Sequence, residues 1–246
     1  MIDWTPLRSA LARYRQSETP LPVWWRDDDA IAPTPQLDQL HALSVQLDLP
    51  VHLAVIPAHT KDTLAEYMAS RQNLRPMVHG WAHQNHAEAG MKKSEFPHND
   101  AACQSRASEG LKTLTHLFGS DLLPVFVPPW NRMDTGLSQH LKSAGYHAVS
   151  TFGPRKPQSG ILHINTHIDP IFWRGTRGLV PPERLIAQTV ERIEARRNGT
   201  EDAAEPLGYL THHLVHDPDI WTFSYAFLNE LLDGGATPAH LGKDLA

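Results

Sequence analysis

Strand-like and helix-like segments alternate seven times along this chain, and that alternation confines it to architectures built on a parallel sheet. Apolar runs at 21–26, 51–56, 76–79, 122–127, 147–151, 161–166 and 207–213 read as buried strands. Between and after them, residues 34–47, 61–70, 99–118, 134–144, 181–196 and 219–232 carry helical periodicity. The first of these shows the logic. Leu37, Leu40, Leu43 and Leu47 form one stripe, and Thr34-Pro35 supplies a cap followed by a first-turn proline. Residues 4–16 read as an amphipathic helix outside the repeat, so a helical extension over 1–20 is expected ahead of a single barrel domain over 21–246.

A parallel sheet can stay open or close into a barrel, and the polar residues decide between the two. Asp27-Asp28-Asp29, the stretch His79 to His86, Trp130-Asn131, Asp169 and His212-His213 all fall at or just beyond the C-terminal ends of different strands. A barrel gathers all those ends around one mouth, whereas an open sheet offers one crevice. No glycine-rich phosphate loop follows the first strand. A (β/α) barrel is therefore expected.

Composition narrows the chemistry. With 22 basic and 27 acidic residues the net charge is −5, and no Lys/Arg block is present, which argues against nucleic-acid binding. Cys103 is the single cysteine, so neither an internal disulfide nor a cysteine-based zinc cluster can form. His, Asp and Glu remain as possible metal ligands. No apolar stretch reaches membrane-spanning length and residues 1–6 lack the pattern of a signal peptide, so a cytoplasmic protein without membrane association is expected. Residues 197–205 read as a polar surface excursion.

The chain holds 16 histidines, so position matters more than number. His79 and His83 are spaced i, i+4, and a helical turn after the third strand would face both rings toward one metal ion. Three adjacent carboxylates behind the apolar run Val23-Trp24-Trp25 repel one another unless a cation sits among them. Two readings stand for the triplet: a capping cluster for the following helix, or one carboxylate on a metal and another acting as a general base. On a strand end, Asp27 and Asp29 point one way and Asp28 the other unless the chain is already turning. In the seventh run, Leu210 and His212 share a face by the same alternation, which prefers His212 over His213 as the group at the mouth. Because Pro128 and Pro129 lack an N–H, Trp130 supplies the first backbone donor of that loop.

These motifs, taken in order, resemble the polysaccharide deacetylase (nodulation-deacetylase-like) family of carbohydrate esterases. The family's paired aspartates are matched by Asp28-Asp29, its His-x-x-x-His by His79 to His83, its Pro-aromatic pair by Pro129-Trp130 and its Leu-x-His by Leu210 to His212. The resemblance implies a distorted seven-stranded (β/α) barrel and a divalent metal on Asp29, His79 and His83. It also implies Asp28 as catalytic base and His212 as catalytic acid. Zinc is favoured by ligand type, while cobalt, nickel and iron suit the same donors. Leu210 is expected to line an acyl pocket, and Trp173, Asn131 and His86 to meet a small-molecule or oligosaccharide substrate. Three departures stand out. Val127 occupies the place of an arginine that pairs with the base, leaving Arg26 or Arg132 to substitute, with Arg26 preferred. Trp173 follows Phe172 instead of an aspartate, leaving Asp169, then Asp217, as candidates to orient His212. Gly80 stands where Ser or Thr is usual. The implied activity is hydrolysis of a C–N amide, with N-deacetylation of a sugar expected; the alternative is a catalytically inactive, carbohydrate-binding barrel, for which the missing arginine and seven tryptophans speak.

Overall fold

The structure, a computed structural model, describes residues 2–17, 19–156 and 160–241, so the last five residues of the expected barrel lie outside the described residues. In chain order the elements are α1 (Thr5–Arg15), β1 (Pro22–Ala30), α2 (Pro35–Leu47), β2 (Val51–Val55), α3 (Asp62–Met68), β3 (Leu74–His79) and α4 (Ala101–Phe118). They continue with β4 (Val125–Val127), α5 (Leu137–Ala144), β5 (Ala148–Val149), β6 (Leu162–His163), α6 (Pro182–Arg197), β7 (Leu207–Thr211), α7 (Pro218–Asp233) and β8 (Thr237–Pro238). The strands run in the order β6-β5-β4-β3-β2-β1-β7, every pair parallel, with β8 attached to the start of β1.

The helix starts follow from local chemistry. The Thr34 hydroxyl accepts the Leu37 N–H and Pro35 opens α2, while Asp100 and Asp217 accept the N–H groups of Cys103 and Ile220 at the starts of α4 and α7. Helix α1 buries Leu7, Ala10, Leu11 and Tyr14 at helical spacing against α6 and α7. Trp4 stacks on Phe223, and Arg13 bonds Glu194 at 2.7 Å.

The sheet curls into a distorted barrel that closes by single bridges instead of a full ladder. After β6, Thr166 bridges to Phe152 on one side and Ile168 to Tyr209 on the other. Leu210 N–H completes the seam by bonding the Ile168 carbonyl at 2.8 Å. Gly208 permits this approach: a Cβ there would lie 2.5 Å from the Asn165 carbonyl oxygen and from the Trp24 indole nitrogen. Glu205 lies at the foot of the same seam, accepting N–H bonds from Arg155 and Asn165 at 2.8 and 2.9 Å. It is buried, which corrects the reading of 197–205 as surface throughout. A tertiary seam, invisible to local polarity, claims its carboxylate.

Side-chain alternation along the strands creates two apolar layers. Val23, Trp25, Leu53, Val55, Val78 and Phe126 pack outward under the helices. Trp24, Ala54, Met77, Val125, Val127 and Ala148 fill the barrel interior. Each fully buried aliphatic or aromatic side chain contributes roughly 1.5–3 kcal/mol relative to an exposed one. Above the interior layer, toward the C-terminal strand ends, the same inward positions turn polar: Arg26 and Asp28 follow Trp24, and His79 follows Met77.

Candidate active site

The aspartate triplet divides its work because β1 bends as it ends. The register between β1 and β2 shifts between Asp27 and Ala30, and Asp29 takes a left-handed φ of 77°. Strict alternation would have sent Asp29 outward with Asp27; the bend swings it to the mouth beside Asp28. Asp27 stays on the outer side. There it accepts the Thr211 hydroxyl at 2.6 Å, the His213 N–H at 3.0 Å and the His213 ring nitrogen Nδ1 at 2.5 Å. Neither capping nor mutual repulsion describes this arrangement, since Thr34 caps the next helix and each carboxylate has its own partners.

Asp29, His79 and His83 converge, each offering one ligand atom, with all three atoms within 4.8 Å of one another. Asp29 Oδ1 lies 3.1 Å from His79 Nε2 and 3.4 Å from His83 Nε2. The expected helical turn is absent. His79 ends β3, and left-handed residues at Gly80 (φ 56°) and His83 (φ 54°) fold an irregular loop that brings the rings to 5.1 Å. The i, i+4 spacing thus singled out two rings that do converge, but through an irregular loop instead of a helical turn. The donor set fits a divalent ion. His79 Nδ1 donates to the Val127 carbonyl at 2.9 Å, which orients the ring so that Nε2 faces Asp29. Burial raises the Asp29 carboxyl, but the His79 hydrogen bond and the nearby imidazoles outweigh it and hold the group well below its ordinary range. For His79 burial acts downward, yet the Asp29 bond and the charges of Asp28 and Asp29 leave it raised. His83 is lowered, by burial and by His79, against the opposing pull of Asp29 and Glu95.

Arg26, and not Arg132, is the arginine that pairs with Asp28. Fully buried, it forks onto Asp28 through Nε–Oδ1 at 2.9 Å and Nη2–Oδ2 at 3.0 Å. The guanidinium is held in turn by Asn131 Oδ1 at 2.6 Å and Ser150 Oγ at 2.7 Å. Arg132, the other candidate, points away and bonds the Lys93 carbonyl. Asn131, expected to touch substrate, accepts the Arg26 bond through its Oδ1.

His212 faces Asp28 from across the mouth, Nε2 to Oδ2 at 4.0 Å, while His213 lies buried behind the sheet on Asp27. Tyr209 bonds Ser224 on α7, and Thr211 and His213 bond Asp27, so the alternate residues Leu210 and His212 take the inward face. The Trp173 ring meets His212 edge-on at 4.8 Å, and its indole N–H donates to Asp169 at 2.8 Å. Asp169 makes no hydrogen bond to His212, whose Nδ1 has no protein partner among the described residues. Burial pushes the Asp169 carboxyl up, opposed by the His212 charge and by the Ile171 and Trp173 N–H groups. Asp217 caps α7 through Oδ1, and among the described residues it makes no hydrogen bond to His212. Trp130, at a left-handed φ of 56°, packs against His83 at 4.4 Å. His86 is exposed and stands outside the Asp29–His79–His83 group.

Sequence reasoning missed Glu95. It comes from the long connection between β3 and α4, where no periodicity or motif marks it.

No family model and no curated protein matches the sequence. Solved structures do match in fold. A family 4 carbohydrate esterase from Streptomyces lividans, in complex with acetate, is 13% identical, with 91% of this chain and 94% of that one aligned at a TM-score of 0.59. A family 4 acetyl xylan esterase from Clostridium thermocellum, in complex with a cobalt ion, is 13% identical over 90% of this chain and 88% of that one, TM-score 0.52. A pseudoenzyme of the same family from Bacillus anthracis is 12% identical over 92% and 66%, TM-score 0.57. The chain thus has the fold of the polysaccharide deacetylases, as its motifs led us to expect, at an identity that marks wide divergence.

Proposed function

We propose that this protein is a metal-dependent hydrolase of a C–N amide bond that removes an acetyl group from an N-acetylated sugar or small glycan. The observation that carries the reading is the pairing of a three-ligand site, Asp29–His79–His83, with two proton-handling groups, Asp28 and His212, that face each other beside it. A site with three protein ligands leaves positions for water and substrate, as catalytic metal sites do. That the Clostridium thermocellum esterase of this fold is in complex with a cobalt ion supports a metal-dependent reading, and zinc is the ion we propose.

A bound divalent ion would supply Lewis-acid polarisation of the amide carbonyl and a more acidic water. This chain's residues do the rest. Asp28, aimed by the Arg26 fork, takes the proton of the attacking water. His212, with its ring edge braced by Trp173, gives a proton to the leaving nitrogen as the C–N bond breaks, so water and amide become acetate and amine. The Trp130 N–H is the proposed donor to the developing oxyanion. Leu210, buried on the inward face of β7, is the proposed wall for the acetyl methyl. Trp173 and Trp130 offer ring faces on which a sugar can stack.

Elemental analysis of unchelated protein, with turnover on a panel of N-acetylated sugars, tests this. Expected are one equivalent of metal, its loss in His79→Ala, and lost turnover with metal retained in Asp28→Asn. A second reading, a non-catalytic carbohydrate-binding barrel, draws on the shared fold of the Bacillus anthracis pseudoenzyme. The Arg26–Asp28 fork speaks against it, because the base keeps its cationic partner. Metal without turnover on any amide or ester would favour it.

A further inference from the structure

Gly80 links two ligands of the candidate metal site and sits in a slot too tight for any side chain. A Cβ there would lie 2.3 Å from Glu95 Oε2 and 2.6 Å from Pro129 Cδ. On the opposite side, Gly110 of α4 meets the Gly80 carbonyl so closely that a Cβ on Gly110 would lie 2.6 Å from it. What occupies the slot is a carboxylate. Glu95 is fully buried, its Oε2 accepting the Trp81 N–H at 3.1 Å and its Oε1 the Ala82 N–H at 2.7 Å. The loop between His79 and His83 has no helical or strand ladder to satisfy these donors, and Glu95 satisfies both at once.

The charge of this group is the second observation. Among the described residues no Lys, Arg or His nitrogen comes within ion-pair distance of the Glu95 carboxylate. Arg106 donates to the Glu95 backbone carbonyl at 3.3 Å and to Cys103 Sγ at 3.1 Å, not to the carboxylate. A buried carboxylate costs several kcal/mol unless hydrogen bonds and a cation offset it. The hydrogen bonds are present, and among the described residues the group that could hold a metal cation is Asp29–His79–His83, whose two imidazoles this loop joins.

We propose that Glu95 is the positioning residue of the metal site: by clamping the Trp81 and Ala82 amides it sets the loop geometry that aims His83 at the ion carried by Asp29 and His79. The inference rests on the metal reading above. Because one loop joins the two imidazoles, a ligand distance set by Glu95 becomes a metal affinity. Residues outside the ligand shell that orient ligands are worth about 10–100-fold in affinity.

The test pairs a metal-free readout with a metal readout. In 15N-labelled protein, hydrogen exchange of the Trp81 and Ala82 amides is compared between the parent, Glu95→Gln and Glu95→Ala, and zinc affinity is measured by competition with a chromophoric chelator. Glu95→Gln keeps the shape but turns one acceptor into a donor, so one amide loses its partner. Faster exchange at these amides with zinc bound about 10–100-fold more weakly is expected, and a larger loss in Glu95→Ala. Glu109→Gln, on the exposed side of α4, is the control and changes neither. A Glu95→Gln protein that exchanges faster or melts earlier yet binds zinc as tightly as the parent makes Glu95 structural only and overturns the proposal. So does unchanged exchange. A parent that binds no zinc overturns the metal reading itself, and that failure shows in the parent titration before any variant is compared.

Discussion

Arg26 is the residue whose removal reports most directly on how this site is built. Its guanidinium makes four polar contacts of 3.0 Å or less, two to Asp28 and one each to Asn131 and Ser150. Asp28 is itself almost fully buried. Arg26→Met keeps much of the apolar stem and deletes every one of those bonds, leaving a buried carboxylate with His212 across from it at 4.0 Å. Removing one partner of a buried pair costs about 3–5 kcal/mol. Against a total stability of order 5–15 kcal/mol that is a large fraction. At roughly 2–4 °C per kcal/mol for a chain of this size, the thermal midpoint falls by about 6–20 °C. Replacing both members with apolar groups of similar volume is often near neutral, so Arg26→Met with Asp28→Leu is expected to regain most of the stability. It is expected to regain no turnover, because the proposed base is gone. The assay is urea and thermal unfolding of the parent, both single variants and the double variant, alongside turnover on N-acetylated sugars. An Arg26→Met protein within about 1 kcal/mol of the parent, well short of the cost of an orphaned buried charge, would refute the claim that Arg26 is the cation serving Asp28.

Other parts of the fold give further expectations. His52, buried and bonded through Nδ1 to the Trp25 carbonyl at 3.1 Å, is pushed down to about 4, chiefly by burial. Below an unfolded value near 6.5 the unfolded chain takes a proton that the folded one refuses. Its contribution is thus complete above neutrality and is lost as pH falls from about 6.5 to about 4, by up to roughly 3 kcal/mol; urea melts across that range should show it, and His52→Gln should flatten the slope. Gly208→Ala drives a methyl group into Asn165, Thr166 and Trp24 across the closing seam; a loss of about 1–3 kcal/mol or more is expected in the same melts. Trp173→Phe keeps a ring edge on His212 but drops the Asp169 hydrogen bond, so its turnover should fall less than that of Trp173→Ala, which removes both.

Most of the architecture could be read from the order of residues alone. Periodicity of two or 3.6 is a local property, so each main strand and helix declared itself within a few positions. The polar residues at strand ends then distinguished a barrel from an open sheet. Asp29, His79, His83, Asp28 and His212 were also legible, because one mouth gathers strand ends that lie far apart along the chain. What folding decided was direction and partnership. Only the left-handed turn at Asp29 shows why neighbouring aspartates face the same cavity, and only the positive φ values at Gly80 and His83 show how an i, i+4 pair converges without a helix. Arg26 could be suspected of serving Asp28 but not seen forking onto it, and Glu95 and Glu205 carried no sequence mark at all. Burial of a charge depends on what other segments bring to it, and that is a property of the assembled barrel that no local pattern encodes.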